Sequence, residues 1–207
     1  MITLYHRSDC PFCWKVRIAL AELDVDYQVV DTLLGEKHPE VVKLNPKGLV
    51  PVFIDGETVI WESNAILEYL DDVYGPGKLY PGSAAQRAQV RLLISYSDTV
   101  IGPALRGQVF EKRSKPEAQW DRELINKSEQ AWRDCLVQLE AWLGDKSYFT
   151  ETFSAAECAL LPRFGIAEAY GATAFQEFPQ LARWFGEMKQ RRCYIDTYPS
   201  SFIQSNS

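Results

Sequence analysis

The tetrapeptide Cys10-Pro11-Phe12-Cys13 constrains the fold more than any other segment, because of what lies on either side of it. Residues 2–5 before it form a short strand-like segment. After it, apolar residues recur at helical spacing, and Pro11 stands where a helix would begin. A second strand is predicted at residues 27–30. The first part of the chain is therefore a β-α-β unit, which favours a parallel strand pair with a right-handed crossover.

The first cysteine of this segment is expected to be acidic. Cys10 lies at the start of the predicted helix, where unpaired N–H groups and the helix dipole stabilise a thiolate. Such a position lowers a cysteine pKa from about 8.5 to as little as ~3.5–7.5. Cys13 lies three residues further on, and the dipole effect fades within one turn. We therefore predict that Cys10 is the nucleophile, while Cys13 is placed to attack a mixed disulfide at Cys10.

The same spacing also occurs in zinc half-sites and in pairs of buried core cysteines. A four-ligand zinc site needs two further ligands at suitable spacing. The remaining cysteines, Cys135, Cys158 and Cys193, are isolated along the chain, and its two histidines are far apart in sequence. The spacing therefore argues against a metal, and the position between a strand and a helix favours thiol chemistry.

Charge and hydropathy indicate which kinds of partner and which cellular compartment to expect. The net charge of -6 argues against nucleic acid as a partner, and equally against adsorption to anionic membranes. No apolar run approaches the roughly 18 residues that a membrane-spanning helix requires. The sequence begins without a signal-like segment, and five cysteines is an odd number. We therefore expect a cytoplasmic protein with free thiols.

A domain boundary is predicted at residues 75–82, because this stretch holds three glycines and two prolines in eight residues. Before it, two strands flank the hairpin signal Asp55-Gly56. A helix that Ser63 is expected to cap follows these strands. The polar stretch at residues 35–43 is predicted to be irregular.

Beyond the boundary only helices are predicted. Ser83 and Ser154 begin capping boxes, Gly102-Pro103 should kink or break the first long helix, and Pro179 begins the last. A further helix is expected from about Pro116 to Leu143, and residues 200–207 look like a polar tail. The predicted domains are residues 1–77 and an all-helical part at residues 83–207.

Two residue pairs have both an ordinary and a functional interpretation. Val50-Pro51 begins a strand, and only about 5–6% of X–Pro bonds are cis, so an ordinary trans edge proline is the simpler assignment. Glu62-Ser63 fits a surface carboxylate beside a helix cap. It also fits a carboxylate plus a helix N-terminus that together hold the ammonium and carboxylate of an amino acid.

Together these segments resemble the glutathione transferase superfamily. The resemblance rests on Cys10-Pro-Phe-Cys13, on Asn45-Pro-Lys-Gly-Leu-Val-Pro51 and on the segment from Trp61-Glu-Ser to Leu70. It extends into the helical half through residues 153–159. The resemblance implies the glutathione transferase fold, in which a thioredoxin-like α/β N-terminal domain precedes an all-α C-terminal domain.

The resemblance also implies roles for individual residues, with glutathione as a substrate and no metal. The Val50–Pro51 bond would be cis, Val50 would pair with the cysteinyl part of glutathione, and the Glu62-Ser63 pair would hold its γ-glutamyl end. Lys37 would face the glycine carboxylate. The implied site comprises catalytic Cys10 and Cys13, and glutathione-binding Phe12, Lys37, Val50, Pro51, Glu62 and Ser63. Family architecture alone suggests Tyr96, Val100 and Arg106 for the second substrate.

Superfamily members with cysteine at the first-helix position form mixed disulfides, and this chain resembles most the omega-like and chloride-intracellular-channel-like members. It departs from most omega members in its second cysteine, Cys13, which is more glutaredoxin-like. The implied activity is glutathione-dependent thiol transfer to an unknown electrophilic or disulfide co-substrate, in a homodimer. Both a monothiol and a dithiol route stay open. The alternative is a non-enzymatic adaptor resembling stringent starvation protein A, which shares the fold and binds RNA polymerase.

Overall fold

A computed structural model describes residues 1–203 of the chain. One mixed sheet has the strand order β2-β1-β3-β4, in which β1 and β2 are parallel and the other neighbours antiparallel. Its strands are β1 (Ile2–His6), β2 (Tyr27–Asp31), β3 (Val52–Asp55) and β4 (Thr58–Trp61). The parallel pair confirms the predicted β-α-β unit, and the turn between β3 and β4 confirms the predicted hairpin, with Gly56 at φ 58.

Three helices accompany this sheet within the described residues: α1 (Pro11–Glu22), α2 (Pro39–Leu44) and α3 (Ser63–Tyr74). Helices α1 and α3 pack against each other. Fully buried side chains from both helices and from the central strands form the core of this part, among them Leu4, Ile18, Phe53 and Leu67. This arrangement is the thioredoxin-like fold.

The structure differs from the sequence prediction at two points in this part of the chain. Helix α2 forms where an irregular stretch was predicted, with Pro39 at its first position and Val41 as its buried residue. Strand β3 begins at Val52, so Val50 and Pro51 belong to the loop before it. A six-residue helix with one buried position leaves no periodic apolar pattern for a sequence to reveal.

The second part of the chain is helical, as predicted. Its longer helices are α4 (Ala84–Tyr96), α5 (Gly102–Ser114), α6 (Arg122–Leu143), α7 (Ala155–Ala169) and α8 (Pro179–Met188). The capping boxes at Ser83 and Ser154 are both present. Helix α6 begins six residues later than expected, because the Asp121 side chain caps it by accepting from Leu124 N.

The predicted break at Gly102-Pro103 takes a specific form. Residues Ser97–Ile101 form a π-helical segment between α4 and α5. A Cβ on Gly102 would come within 3.0 Å of Arg163 Nη1, so the guanidinium lies directly against the backbone where α5 begins. The Arg163 side chain also donates to Ser97 Oγ and pairs with Asp98. Glycine therefore permits this close approach.

Two short helices end the described chain, α9 (Arg192–Ile195) and α10 (Ser200–Ile203). Contacts group the segment from Arg191 with Met1–Gly82, and Ser83–Gln190 form the second unit. The predicted helical domain, residues 83–207, differs from this division, because Trp14 in α1 packs on aromatic residues of the final segment. Residues 200–203 of the predicted polar tail are helical, and residues 204–207 lie outside the described part.

Candidate functional site

Cys10 is the N-cap residue of α1. Its backbone is extended, with φ -76 and ψ 121, and its carbonyl accepts the first helical hydrogen bond from Trp14 N at 2.8 Å. Pro11 follows at the first helical position, where a missing N–H costs nothing. Cys13 lies in the first turn. Cys10 is 7% exposed and Cys13 is fully buried, and both are free thiols.

The two thiols differ in acidity. A hydrogen bond from Cys13 lowers the pKa of Cys10 to about 6, although burial of the thiol acts in the opposite direction. Backbone N–H groups of the first turn and the Arg7 guanidinium also contribute to this lowered pKa. Burial raises the pKa of Cys13, and its hydrogen bond to Cys10 raises it again. Cys10 is thus the more acidic thiol, the order expected from the helix N-terminus.

Two arginines support the loop that leads into Cys10. Arg17 of α1 donates from Nη2 to the Ser8 carbonyl at 2.5 Å. Arg7 donates from Nε to Asp9 Oδ1, also at 2.5 Å, and its carbonyl accepts from Cys10 N at 3.2 Å. Neither arginine was singled out from the sequence, because an isolated arginine near a helix start is indistinguishable from a solvated surface residue.

A pocket of about 200 Å³ lies between the first turn of α1, the loop before β3 and the start of α3. Its lining residues are Phe12, Asn45, Lys47, Leu49, Val50, Pro51, Glu62 and Ser63. The Val50–Pro51 peptide bond is cis, in agreement with the resemblance. Asn45 fixes the loop, since its Nδ2 donates to the Leu49 carbonyl at 2.7 Å and its Oδ1 accepts from Lys47 N at 2.9 Å.

Glu62 has an unusual backbone for a residue that carries a side chain. Its φ of 77 lies in the left-handed region, which is strained for residues other than glycine and is found preferentially at functional sites. Glu62, rather than the predicted Ser63, is the N-cap of α3, and Ser63 is the first helical residue. Ser63 is buried, while Glu62 reaches Lys47 Nζ with its Oε1 at 2.5 Å.

The structure brings most of the predicted site residues together, as Phe12, Val50, Pro51, Glu62 and Ser63 all line the pocket. Within the described Cys10–Cys13 segment, only Phe12 lines it. Lys37 is exposed and does not line it; its Cδ lies 3.8 Å from where a Cβ on Gly48 would be.

Three lining residues, Asn45, Lys47 and Leu49, were not predicted. All three lie in the segment around the predicted turn Asn45-Pro-Lys-Gly48, whose turn signal gave their position but not their contribution to a pocket.

The three residues suggested for a second substrate all lie in the helical unit. Tyr96 ends α4 and packs on Trp142 with ring centroids 4.9 Å apart. Val100 belongs to the π-helical segment and is 41% exposed. Arg106 in α5 stacks its guanidinium on the Phe110 ring at 5.3 Å. Their role stays a prediction.

Neither a metal-binding cluster nor a membrane-spanning helix occurs in the described part of the chain. Among residues 1–203, no group of three or more His, Cys, Asp or Glu side chains is placed to hold a metal ion. Within the same range, none of the helices has the length and apolar character needed to cross a membrane.

Comparison with known proteins gave one family and several relatives. The model of the glutathione S-transferase N-terminal domain matches residues 4–78. A zeta-class glutathione S-transferase of Euphorbia esula is 33% identical, over 98% of this chain and 91% of the relative. Glutathione S-transferase GstB of Escherichia coli (strain K12) is 29% identical, over 92% of this chain and 94% of its own.

A solved structure extends the likeness to three dimensions. The crystal structure of a glutathione S-transferase from Methylobacillus flagellatus KT with GSH bound matches with a TM-score of 0.82 and 28% identity. The match covers 96% of this chain and 100% of that one. A stringent starvation protein A homolog of Coxiella burnetii (strain RSA 493) is 26% identical, over 78% of this chain and 74% of the relative.

Proposed function

We propose that this chain, which belongs to the glutathione S-transferase superfamily, is a glutathione-dependent thiol transferase that forms a mixed disulfide at Cys10. The observation that carries the proposal is the position of Cys10 at the N-cap of α1, with Cys13 in the first turn. There the pKa of Cys10 is lowered to about 6, and the hydrogen bond from Cys13 is the largest cause. A thiol with that pKa is mostly a thiolate at neutral pH, and the thiolate is the attacking form. Membership in the superfamily supports glutathione as the thiol substrate.

The reaction would proceed by two thiol–disulfide exchanges. In the first, the Cys10 thiolate attacks the glutathione sulfur of a mixed disulfide between glutathione and a second thiol. The Cys10–glutathione disulfide forms, the original disulfide breaks, and the second thiol leaves as a thiolate. In the next exchange, a free glutathione thiolate attacks the glutathione sulfur on Cys10. This step forms oxidised glutathione and returns Cys10 to its thiolate, so bonds and electrons balance.

Cys13 would assist Cys10 rather than replace it. Its pKa is raised by burial, and its proton is engaged by Cys10, so little Cys13 thiolate is present at neutral pH. A dithiol route needs Cys13 to attack the Cys10–glutathione disulfide as a thiolate. These properties favour the monothiol route, in which Cys13 serves as a hydrogen-bond donor.

The pocket beside α1 would hold glutathione. In this proposal Val50 presents its backbone to the cysteinyl part, next to the cis Pro51, and Phe12 forms the wall nearest the thiols. Glu62 and Ser63 hold the γ-glutamyl end, because a carboxylate and a helix N-terminus match an ammonium and a carboxylate. Lys37, outside the pocket lining, would reach only the far, glycine end.

Removal of each thiol in turn tests the mechanism. Cys10→Ser should abolish thiol transfer to a glutathionylated substrate, whereas Cys13→Ser should keep substantial activity, since its hydroxyl still donates a hydrogen bond. Cys158→Ser, which removes a buried thiol of α7 in the helical unit, is the matched control and should keep the activity of the unmodified protein. Mass spectrometry of protein treated with oxidised glutathione should find the adduct on Cys10. An adduct on Cys13, or full activity in Cys10→Ser, would refute the mechanism.

We expect a homodimer in the cytoplasm, with an electrophilic or disulfide co-substrate. Sedimentation at micromolar concentration that gave only the 23.6 kDa species would exclude the dimer. The adaptor alternative has a relative in the stringent starvation protein A homolog, but the acidic Cys10 thiol favours an enzyme.

A further inference from the structure

Lys47 and Glu62 give the pocket one positive and one negative side chain. Both line it, and their ammonium and carboxylate groups are 2.5 Å apart. The Lys47 ammonium also lies 5.5 Å from the centre of the Trp61 ring. Among the described residues that line the pocket, Lys47 supplies its cationic side chain and Glu62 its anionic one. The pocket therefore complements a zwitterion.

The position of Lys47 shows what a ligand would have to replace. In the proposed function, the Glu62 carboxylate receives the ammonium of the γ-glutamyl group. In this structure the Lys47 ammonium holds that place. The ammonium and α-carboxylate of a γ-glutamyl group are attached to the same carbon. A ligand ammonium at Glu62 therefore brings its α-carboxylate close to the displaced Lys47.

We propose that Lys47 binds the α-carboxylate of the γ-glutamyl group together with the helix N-terminus at Ser63, so that one internal ion pair is exchanged for two pairs between protein and ligand. The proposal rests on the proposed function. It makes Lys47 a specificity-determining residue, which selects ligands that carry an ammonium and a carboxylate on one carbon.

The exchange is physically easy. The side chains of Lys47 and Glu62 are 56% and 53% exposed, and ion pairs this open to water are weak. The lysine stem is flexible, whereas its backbone is fixed, because Lys47 N donates to the buried Asn45 side chain. The ammonium can therefore move between partners while the loop stays in place.

The experiment measures glutathione binding by calorimetry in a Cys10→Ser background, which prevents a mixed disulfide. Serine is a preferred N-cap residue, so this background should keep α1 intact. Lys47→Met is compared with Lys43→Met, a matched exposed lysine that pairs with Glu40 in α2 and does not line the pocket. Each protein is titrated with three ligands. These are glutathione, its analogue with hydrogen in place of the α-carboxylate of the γ-glutamyl group, and its glycine amide.

Lys47→Met should weaken glutathione and the glycine amide by roughly tenfold, the size of one charged contact. It should leave the analogue without the α-carboxylate unchanged, and Lys43→Met should change none of the three. Tighter glutathione binding by Lys47→Met would show that Lys47 only competes for Glu62. A loss for glutathione but not for the glycine amide would place Lys47 at the glycine end. Equal binding by both variants would also overturn the inference. Absence of glutathione binding in the background protein itself would instead count against the proposed function.

Discussion

At the residue scale, the acidity of Cys10 depends mainly on a hydrogen bond from Cys13, three residues further along the chain. Helix N-termini favour thiolates in general. In this protein the Cys13 hydrogen bond is the largest cause of the lowered Cys10 pKa, ahead of the backbone N–H groups of the helix. Cys13 is fully buried, so this bond is shielded from water.

This dependence predicts a difference between two substitutions at one position. Cys10 is a thiolate above its pKa of about 6, so its alkylation rate by iodoacetamide should rise with pH through 6 and level off near neutrality. Cys13→Ser keeps a donor and should retain nearly this profile. Cys13→Ala removes the donor, and its alkylation midpoint should move to higher pH. Identical profiles in the two variants would show that the helix terminus alone sets the pKa.

At this scale the sequence predicts the acidity of Cys10 but not the place of Lys47 in the pocket. The lowered pKa of Cys10 could be predicted, because the strand, the proline and the helix that determine it all lie within a few residues of it. Lys47 could not, since a lysine inside an Asn-Pro-Lys-Gly turn looks like any solvated turn residue. Its proposed role depends on Glu62, which the hairpin of β3 and β4 brings back to the same loop. Such long-range pairing leaves no local pattern.

At the element scale, two helices begin with the same capping motif in different surroundings. In α4, Ser83 and Gln86 exchange hydrogen bonds at an exposed site. In α7, Glu157 is fully buried and accepts from Phe149 N at 2.8 Å and from Ser154 N at 2.9 Å. The buried motif therefore satisfies donors that water cannot reach, which the exposed motif does not have to do.

Removal of each motif's last side chain, three residues after the N-cap serine, tests this contrast. Glu157→Ala should lower the free energy of unfolding by about 2–4 kcal/mol, because it leaves buried N–H groups without partners. Gln86→Ala should cost about 0.5–1 kcal/mol, the usual loss at an exposed cap. Urea unfolding at pH 8 is suitable, since burial raises the pKa of Glu157 to about 7 and the carboxylate is ionised there. Similar losses in both variants would contradict the argument from burial.

Elements with strong local signals were the ones that could be predicted. The helices that begin with Pro11, Ser83, Ser154 and Pro179 all form with those residues at their start. Helix α10 was missed because Ser200-Ser201 looks polar, although Phe202 beside them is 2% exposed. A single buried aromatic residue gives no periodic apolar pattern in the sequence, so its burial is evident only from tertiary packing.

At the scale of the whole molecule, the two ends of the chain meet in one unit. The Trp14 ring in α1 lies 5.4 Å from Tyr194, 5.7 Å from Tyr198 and 6.0 Å from Phe202. Its indole Nε1 donates to Thr197 Oγ1 at 3.0 Å, across 183 positions of sequence. The final segment thus packs on α1, within the unit that carries the thiols. The spacing of its aromatic residues in the sequence does not show which surface they pack against.

The hydrogen bond between Trp14 and Thr197 should therefore contribute to the stability of the unit that carries Cys10. Thr197→Val keeps the side-chain shape but leaves the buried indole N–H without its acceptor, so it should lower the free energy of unfolding by about 1–3 kcal/mol. Thr99→Val is the matched control, because Thr99 Oγ1 donates to the Ser95 carbonyl at an exposed site. Its effect should stay within about 0.5 kcal/mol. Urea unfolding followed by tryptophan fluorescence measures both variants, and equal stability of the two would show that the final segment adds little to the first unit.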